Sequence, residues 1–233
     1  MSYSEANPAT WSRSAASTMW IAVDVGLMQD HSAFVVAGVW PQAGSAIGVI
    51  DIKQFPLGYP LEDVAEEVAA AARLHQAKVI VDATNNSAFV GMLAQRLPAP
   101  AANHLVGAAI TSAIGHAAQP APMAISLGGL RSAVPRWSLS KSELVQNVKA
   151  ELTNKSLRLA KVGDWEALQA ELLGMEQTVR ASGTSAYAAP SGQHDDLAMA
   201  LALAVFACRS VGGVVRHRLT PHRGARVSSA AWT

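Results

Sequence analysis

The stretch WIAVDVGLMQDHSAF, residues 20–34, constrains the fold more than any other, because it sets an acid inside an apolar strand. Residues 21–25 read as buried, yet Asp24 interrupts them just before Gly26. A carboxylate that loses its hydration is tolerated only where something compensates the charge. The end of this strand must therefore reach a turn, a partner or a ligand.

The pattern returns further along. VIVDAT carries Asp82 where a second apolar strand gives way to small polar residues, and HDDLAMALALAVFAC sets Asp195 and Asp196 at the start of the most hydrophobic helix. Twelve residues, 197–208, are too few to span a membrane and read as a buried core helix. Between these points, residues 20–25, 32–40 and 46–55 are short runs rich in Val, Ile and aromatics, separated by turn-forming residues, which predicts an antiparallel meander. Leu61, Val64, Ala65 and Val68 recur at helical spacing, with acids on the other face. Residues 78–84 and 103–111 predict a fourth and a fifth strand, and Phe89, Val90, Leu93 and Leu97 mark the helix between them. Ser140 and Glu143 form a capping-box pattern ahead of Leu144, Val145, Val148 and Leu152; Trp165, Leu168, Leu172 and Met175 line the next helix. This order predicts an α/β domain, a mixed five-stranded sheet with helices on both faces.

Half of the 233 residues are hydrophobic and 15% are charged, which suits one packed domain. The formal net charge of +1 argues neither for nor against a polyanionic partner. A single cysteine, Cys208, excludes a disulfide framework and fits a reducing compartment. No signal segment or spanning run is recognisable, so an intracellular protein that is not secreted, with no membrane partner, is expected. Residues 1–18 read as a flexible linker, 19–209 as the domain, and 210–233 as a mobile basic tail with Arg216, Arg218, Arg223 and Arg226 and no acid.

Parallel strands of an α/β sheet carry their carboxyl ends to one edge, where ligand crevices form. If the first and fourth strands are parallel neighbours, Asp24 and Asp82 lie side by side there, and a helix starting at that edge brings Asp195 or Asp196 to them. Carboxylates gathered in this way suit hard cations such as Mg²⁺ or Mn²⁺. Two such ions would clamp both oxygens of a phosphodiester displacement. Plainer readings stand beside this one: Asp24 and Asp82 as turn formers, Asp195 or Asp196 as a helix cap, and His194 as a local hydrogen-bonding residue.

In this order and spacing, DVGLMQDHSAFVV, VIVDAT and YAAPSGQHDDLAMALALA resemble the C-terminal nuclease domain of the large terminase subunit, the DNA-packaging motor of tailed bacteriophages. The resemblance implies an RNase H-like (RuvC-type) fold and a Mg²⁺- or Mn²⁺-dependent endonuclease that cuts concatemeric double-stranded viral DNA in the host cytoplasm. Carried over by position, Asp24, Asp82 and Asp196 are the catalytic acids and metal ligands, with Asp195 as the alternative ligand. Asp30 and His194 stand near the site as accessory positions. Lys141 resembles a basic position facing the DNA backbone, equally readable as a solvated helix-start lysine, and Arg216, Arg218 and Arg223 of the tail are further candidates for DNA. The family also implies partners: an ATPase domain, a small terminase subunit and a portal. No Gly-x-x-x-x-Gly-Lys-Ser/Thr loop occurs in the chain, so it is expected to cut DNA without ATPase activity of its own. The rivals are a junction-resolving or RNA-directed nuclease of the same fold, an actin-type ATPase using SLGGLRSA as a phosphate loop, and a non-catalytic DNA or capsid docking module.

Overall fold

The computed structural model describes residues 16–26, 30–84, 86–112, 115–117, 119–127, 130–179, 185–190 and 194–211. The expected linker, but for its last three residues, and the basic tail beyond Val211 lie outside them.

The first three strands form the expected meander. β1 (Thr18–Asp24) pairs antiparallel with β2 (Ala33–Trp40), and β2 with β3 (Ala46–Gln54). A short 3-10 turn, Pro41–Ala43, joins β2 to β3 and ends on Gly44 at φ 68°, where glycine carries no Cβ penalty. Then follow α1 (Leu61–His75), β4 (Lys78–Asp82), α2 (Ser87–Arg96), the four-residue α3 (Ala99–Ala102) and β5 (Leu105–Thr111). β4 lies parallel between β1 and β5. These five strands are contiguous in the order β5-β4-β1-β2-β3.

The sheet is wider than five strands. β6 (Ala121–Leu127) and β7 (Leu130–Ser140) form a hairpin that extends it beyond β5, and β8 (Leu157–Leu159) closes the far edge beside β3. Pro120, Pro122 and Pro135, together with scattered polar residues, broke the apolar alternation by which β6 and β7 would have been recognised, and β8 is too short to show one. SLGGLRSA falls at the β6–β7 turn, where Leu127 pairs with Leu130. It links two antiparallel strands, not a strand to a helix, and so lacks the setting of a phosphate loop.

Both faces of the sheet are covered, which is why all eight residues of β2 are buried. On one face, Ile21, Val23, Val36, Val79 and Val81 pack with α1 and α2 residues such as Val68 and Phe89. On the other, Trp20, Ala22, Val35 and Ile80 meet α4 (Lys141–Thr153), α5 (Trp165–Gly174) and α6 (Asp196–Phe206). Ser140 caps α4 as its sequence predicts, its hydroxyl accepting from the Glu143 amide. α6 is buried at all eleven positions, because it lies on the sheet with α4 and α5 against it, and so needs no polar face. It runs on into a π-helical turn, Ala207–Val211. Between α5 and α6, β9 (Glu176–Val179) pairs antiparallel with β10 (Ser185–Ala188). Tyr187 of β10 is buried, with the Lys149 ammonium 4.2 Å from its ring centroid.

Candidate active site

Strand parity decides which acids can meet. Side chains alternate across a sheet, so the series Trp20, Ala22 on the α6 face continues to Asp24, and Ile80 continues to Asp82. β1 and β4 are parallel with Trp20 opposite Lys78 and Val23 opposite Val81, so the next residues in register are Asp24 and Asp82. Both strands end at the edge where α6 begins. Asp24, Asp30, Asp82, Thr84, Lys141 and Asp195 with Asp196 line one open cleft of about 360 Å³, and His194 stands at its side.

Each carboxylate has distinct surroundings. Asp82 Oδ1 accepts from the Thr84 amide at 2.8 Å and the Thr84 hydroxyl at 2.5 Å, and Thr84 Oγ1 accepts in turn from the Ile110 amide at 2.8 Å. Asp82 therefore shapes the turn out of β4 while facing the cleft. Asp196 is buried, and its Oδ2 accepts from the His31 amide at 3.2 Å. His194 Nδ1 lies 3.7 Å from Asp196 Oδ2 and 3.8 Å from Asp30 Oδ1. The His31 ring, bound through Nδ1 to the Phe55 carbonyl at 2.7 Å, meets the His194 ring edge-on at 4.9 Å. Lys141, the first residue of α4, reaches in so that Nζ is 2.6 Å from Asp195 Oδ2.

The cleft holds more negative charge than it neutralises. Burial, and then the carboxylates of Asp82, Asp196 and Asp195, push the Asp24 carboxyl well above its usual range, while Lys141 pulls it back. Burial also raises Asp82, against its Thr84 bonds and Lys141. It lifts Asp196 to about 6, opposed mainly by His194 and reinforced by Asp30. Among the described residues no three His, Cys, Asp or Glu side chains are drawn together tightly enough to hold an ion as they stand. The donors that Asp24, Asp82 and Asp196 offer are nonetheless carboxylate oxygens gathered in one cleft, which is the chemistry a hard divalent cation uses.

Sequence reasoning passed over three contributors. Thr84 stands two residues after Asp82 and was legible as an Asx-turn partner. His31 acts through its backbone amide, which no side-chain pattern reports. Glu171 of α5 accepts from the Ala198 amide at 2.8 Å, just behind Asp196; burial pushes its carboxyl up to about 7, with Asp196 and Asp195 adding to the rise.

No family model and no curated protein matches the sequence. Solved structures do match the fold. The large terminase nuclease of the thermophilic phage G20c with bound magnesium superposes with a TM-score of 0.53 at 20% identity, covering 81% of this chain and 80% of that one. The nuclease domain of the human cytomegalovirus terminase, soaked with Mn and carrying an inhibitor, gives 0.55 at 10% identity over 89% and 90%. The large terminase nuclease domain of bacteriophage SPP1 with bound Mn gives 0.50 at 12% over 87% and 90%. This chain has the fold of a terminase nuclease domain. That fold is RNase H-like, a large mixed sheet flanked by helices, as the resemblance implies.

Proposed function

We propose that this chain is a metal-dependent endonuclease that cuts double-stranded viral DNA during genome packaging, with Asp24, Asp82 and Asp196 as its catalytic acids. The observation that carries the reading is the convergence of these acids, from β1, β4 and α6, in one cleft of unneutralised carboxylates. The magnesium- and Mn-bound terminase nucleases of like fold support it. Asp24, Asp82 and Asp196, with Asp195 as a further ligand, would hold Mg²⁺ or Mn²⁺, two ions in the fullest arrangement. Such ions supply an activated water and charge neutralisation for phosphodiester hydrolysis. The chain's own groups do the rest. The His31 amide orients the Asp196 carboxylate, Thr84 orients that of Asp82, and Lys141 offers a cation at the rim for a DNA phosphate once it leaves Asp195. Double-stranded DNA is the substrate of this reading; a packaging ATPase domain, a small terminase subunit and a portal are its partners in the host cytoplasm.

Asp24→Asn tests it, since the change removes one charge at nearly constant shape. In EDTA the variant should melt at or slightly above the parental temperature. Mn²⁺ should raise the parent's melting temperature and the variant's much less, because it binds the folded site. Nicking of plasmid DNA, present in the parent with Mn²⁺ and absent in EDTA, should be lost. An Asp24→Asn protein that nicks at the parental rate would rule the reading out.

A further inference from the structure

Helix α6 begins without a cap from its own sequence. Asp195 stands at the N-cap position, where an aspartate ordinarily accepts from an amide two or three residues on. Its side chain makes no such bond and turns instead to Lys141 Nζ, at 2.6 Å. Asp196, the first helical residue, accepts from the His31 amide of the β1–β2 connection. The first-turn amides of a buried helix still need acceptors, since an unpaired N–H keeps its full desolvation cost. Glu171 Oε2 takes the Ala198 amide at 2.8 Å, and the Leu197 amide also contributes to the same carboxyl. Its other oxygen, Oε1, accepts from Gln54 Nε2 at 3.3 Å. The α5 helix that carries Glu171 is itself tied down: Asp164, at its start, accepts from the Gln54 amide at 2.6 Å. Glu171 is not among the residues lining the cleft.

We infer that Glu171 is a positioning residue: by capping α6 from a neighbouring helix, it releases Asp195 and Asp196 from the helix start and keeps both directed at the cleft. The inference rests on the metal-dependent nuclease reading of that cleft. Without Glu171, the cheapest acceptor for the Ala198 amide is the Asp195 carboxylate, which must then leave Lys141 and fold back over its own helix. Gln at position 171 would preserve the arrangement, because its amide oxygen still accepts from Ala198 while the NH₂ faces Gln54, whose side-chain amide can turn over to accept.

The test compares the full chain with Glu171→Ala and Glu171→Gln. Mn²⁺ binding is followed by calorimetry, plasmid nicking as a function of Mn²⁺ concentration, and melting in EDTA. Glu171→Ala should need about 10- to 100-fold more Mn²⁺ for half-maximal binding and nicking, the size usual for a group that orients metal ligands. Nicking should recover towards the parental rate at high Mn²⁺. Glu171→Gln should titrate close to the parent. If Glu171→Ala does not fold, Glu171→Asp, one methylene too short to reach Ala198, should show the same weakened titration. A Glu171→Ala or Glu171→Asp protein that melts lower in EDTA but keeps the parental Mn²⁺ half-point would reduce Glu171 to a stabiliser of α6 and overturn the inference. A parent that binds no Mn²⁺ would overturn the nuclease reading, and this inference with it.

Discussion

The residue that ties charge most directly to stability is Asp196. Its carboxyl is buried and raised from the ordinary 3.8 to about 6, chiefly by desolvation. A carboxyl that holds its proton more tightly when folded adds stability below its unfolded pKa, and loses it as pH rises through the folded value. The metal-free protein should therefore lose stability between about pH 4 and pH 6, on the order of 1–3 kcal/mol from this residue. Asp24, raised in the same direction, should add to the loss. Melting in EDTA across this range should show the decline, and Asp196→Asn should flatten it. Mn²⁺ at neutral pH should restore what the charged carboxylates removed. A melting temperature that does not change from pH 4 to pH 7 would mean that the cleft carries no such stress. Asp82 shows that one residue need not choose between roles: its Oδ1 builds the turn with Thr84, yet the same side chain lines the cleft.

Among elements, the close approach of Gly26 at the end of β1 to the Asp30–His31 segment bears most directly on the cleft. The Gly26 amide donates to Ser32 Oγ at 3.2 Å, and the chain folds over so closely that a Cβ at Gly26 would lie 2.3 Å from the Asp30 carbonyl oxygen and 2.4 Å from the His31 carbonyl carbon. Backbone, not a flexible side chain, occupies that space. Gly26→Ala must therefore displace the Asp30–His31 segment, and with it the amide that orients Asp196. Strain of this kind costs about 1–3 kcal/mol of stability. The misplaced acid should cost more in rate, about 100-fold. Nicking at saturating Mn²⁺, compared with melting, separates the two effects. Near-parental activity in a folded Gly26→Ala protein would show that the His31 amide does not matter to the reaction. The strands obey a similar economy. The parallel β1–β4 register sets Asp24 beside Asp82, and a slip of one residue would turn every core side chain of β4 to the wrong face.

At the scale of the whole molecule, charge is nearly balanced but unevenly placed. The net charge is +1, the cleft concentrates acids, and the segment after Val211 carries Arg216, Arg218, Arg223 and Arg226 without an acid. On the proposed nuclease reading, an acidic centre needs cations elsewhere to hold a phosphate backbone. Binding to DNA should therefore weaken steeply with salt. Removing residues 212–233 should reduce the slope of log affinity against log salt by about 3.6 if the four arginines each meet a phosphate. Unchanged affinity at low salt in the shortened chain would assign the tail to another partner. Cleavage of long unrelated DNA should be sequence-tolerant, since phosphate contacts carry no base information. Among the described residues no helix is long and apolar enough to cross a membrane.

The sequence determined what is local and periodic. The meander, β4, α1, the capped α4 and the fully buried α6 were all legible, because apolar periodicity and Ser-x-x-Glu report short-range physics. So were the acids, since Asp24 and Asp82 stand out against apolar strands. The hairpin β6–β7, the three residues of β8 and the pair β9–β10 were not. Their proline-broken or very short runs become strands only because a neighbouring backbone offers hydrogen bonds. Tertiary structure also decided how the acids are served. Neither Asp195 nor Asp196 caps α6, although the sequence allowed either to do so; Lys141 and the His31 amide claim them from elements 54 and 165 residues away. The cap comes instead from Glu171, a residue whose helical setting reads as ordinary surface. A carboxylate's type is written in the chain, but its donors depend on which distant segments the packed sheet brings within hydrogen-bonding reach of it.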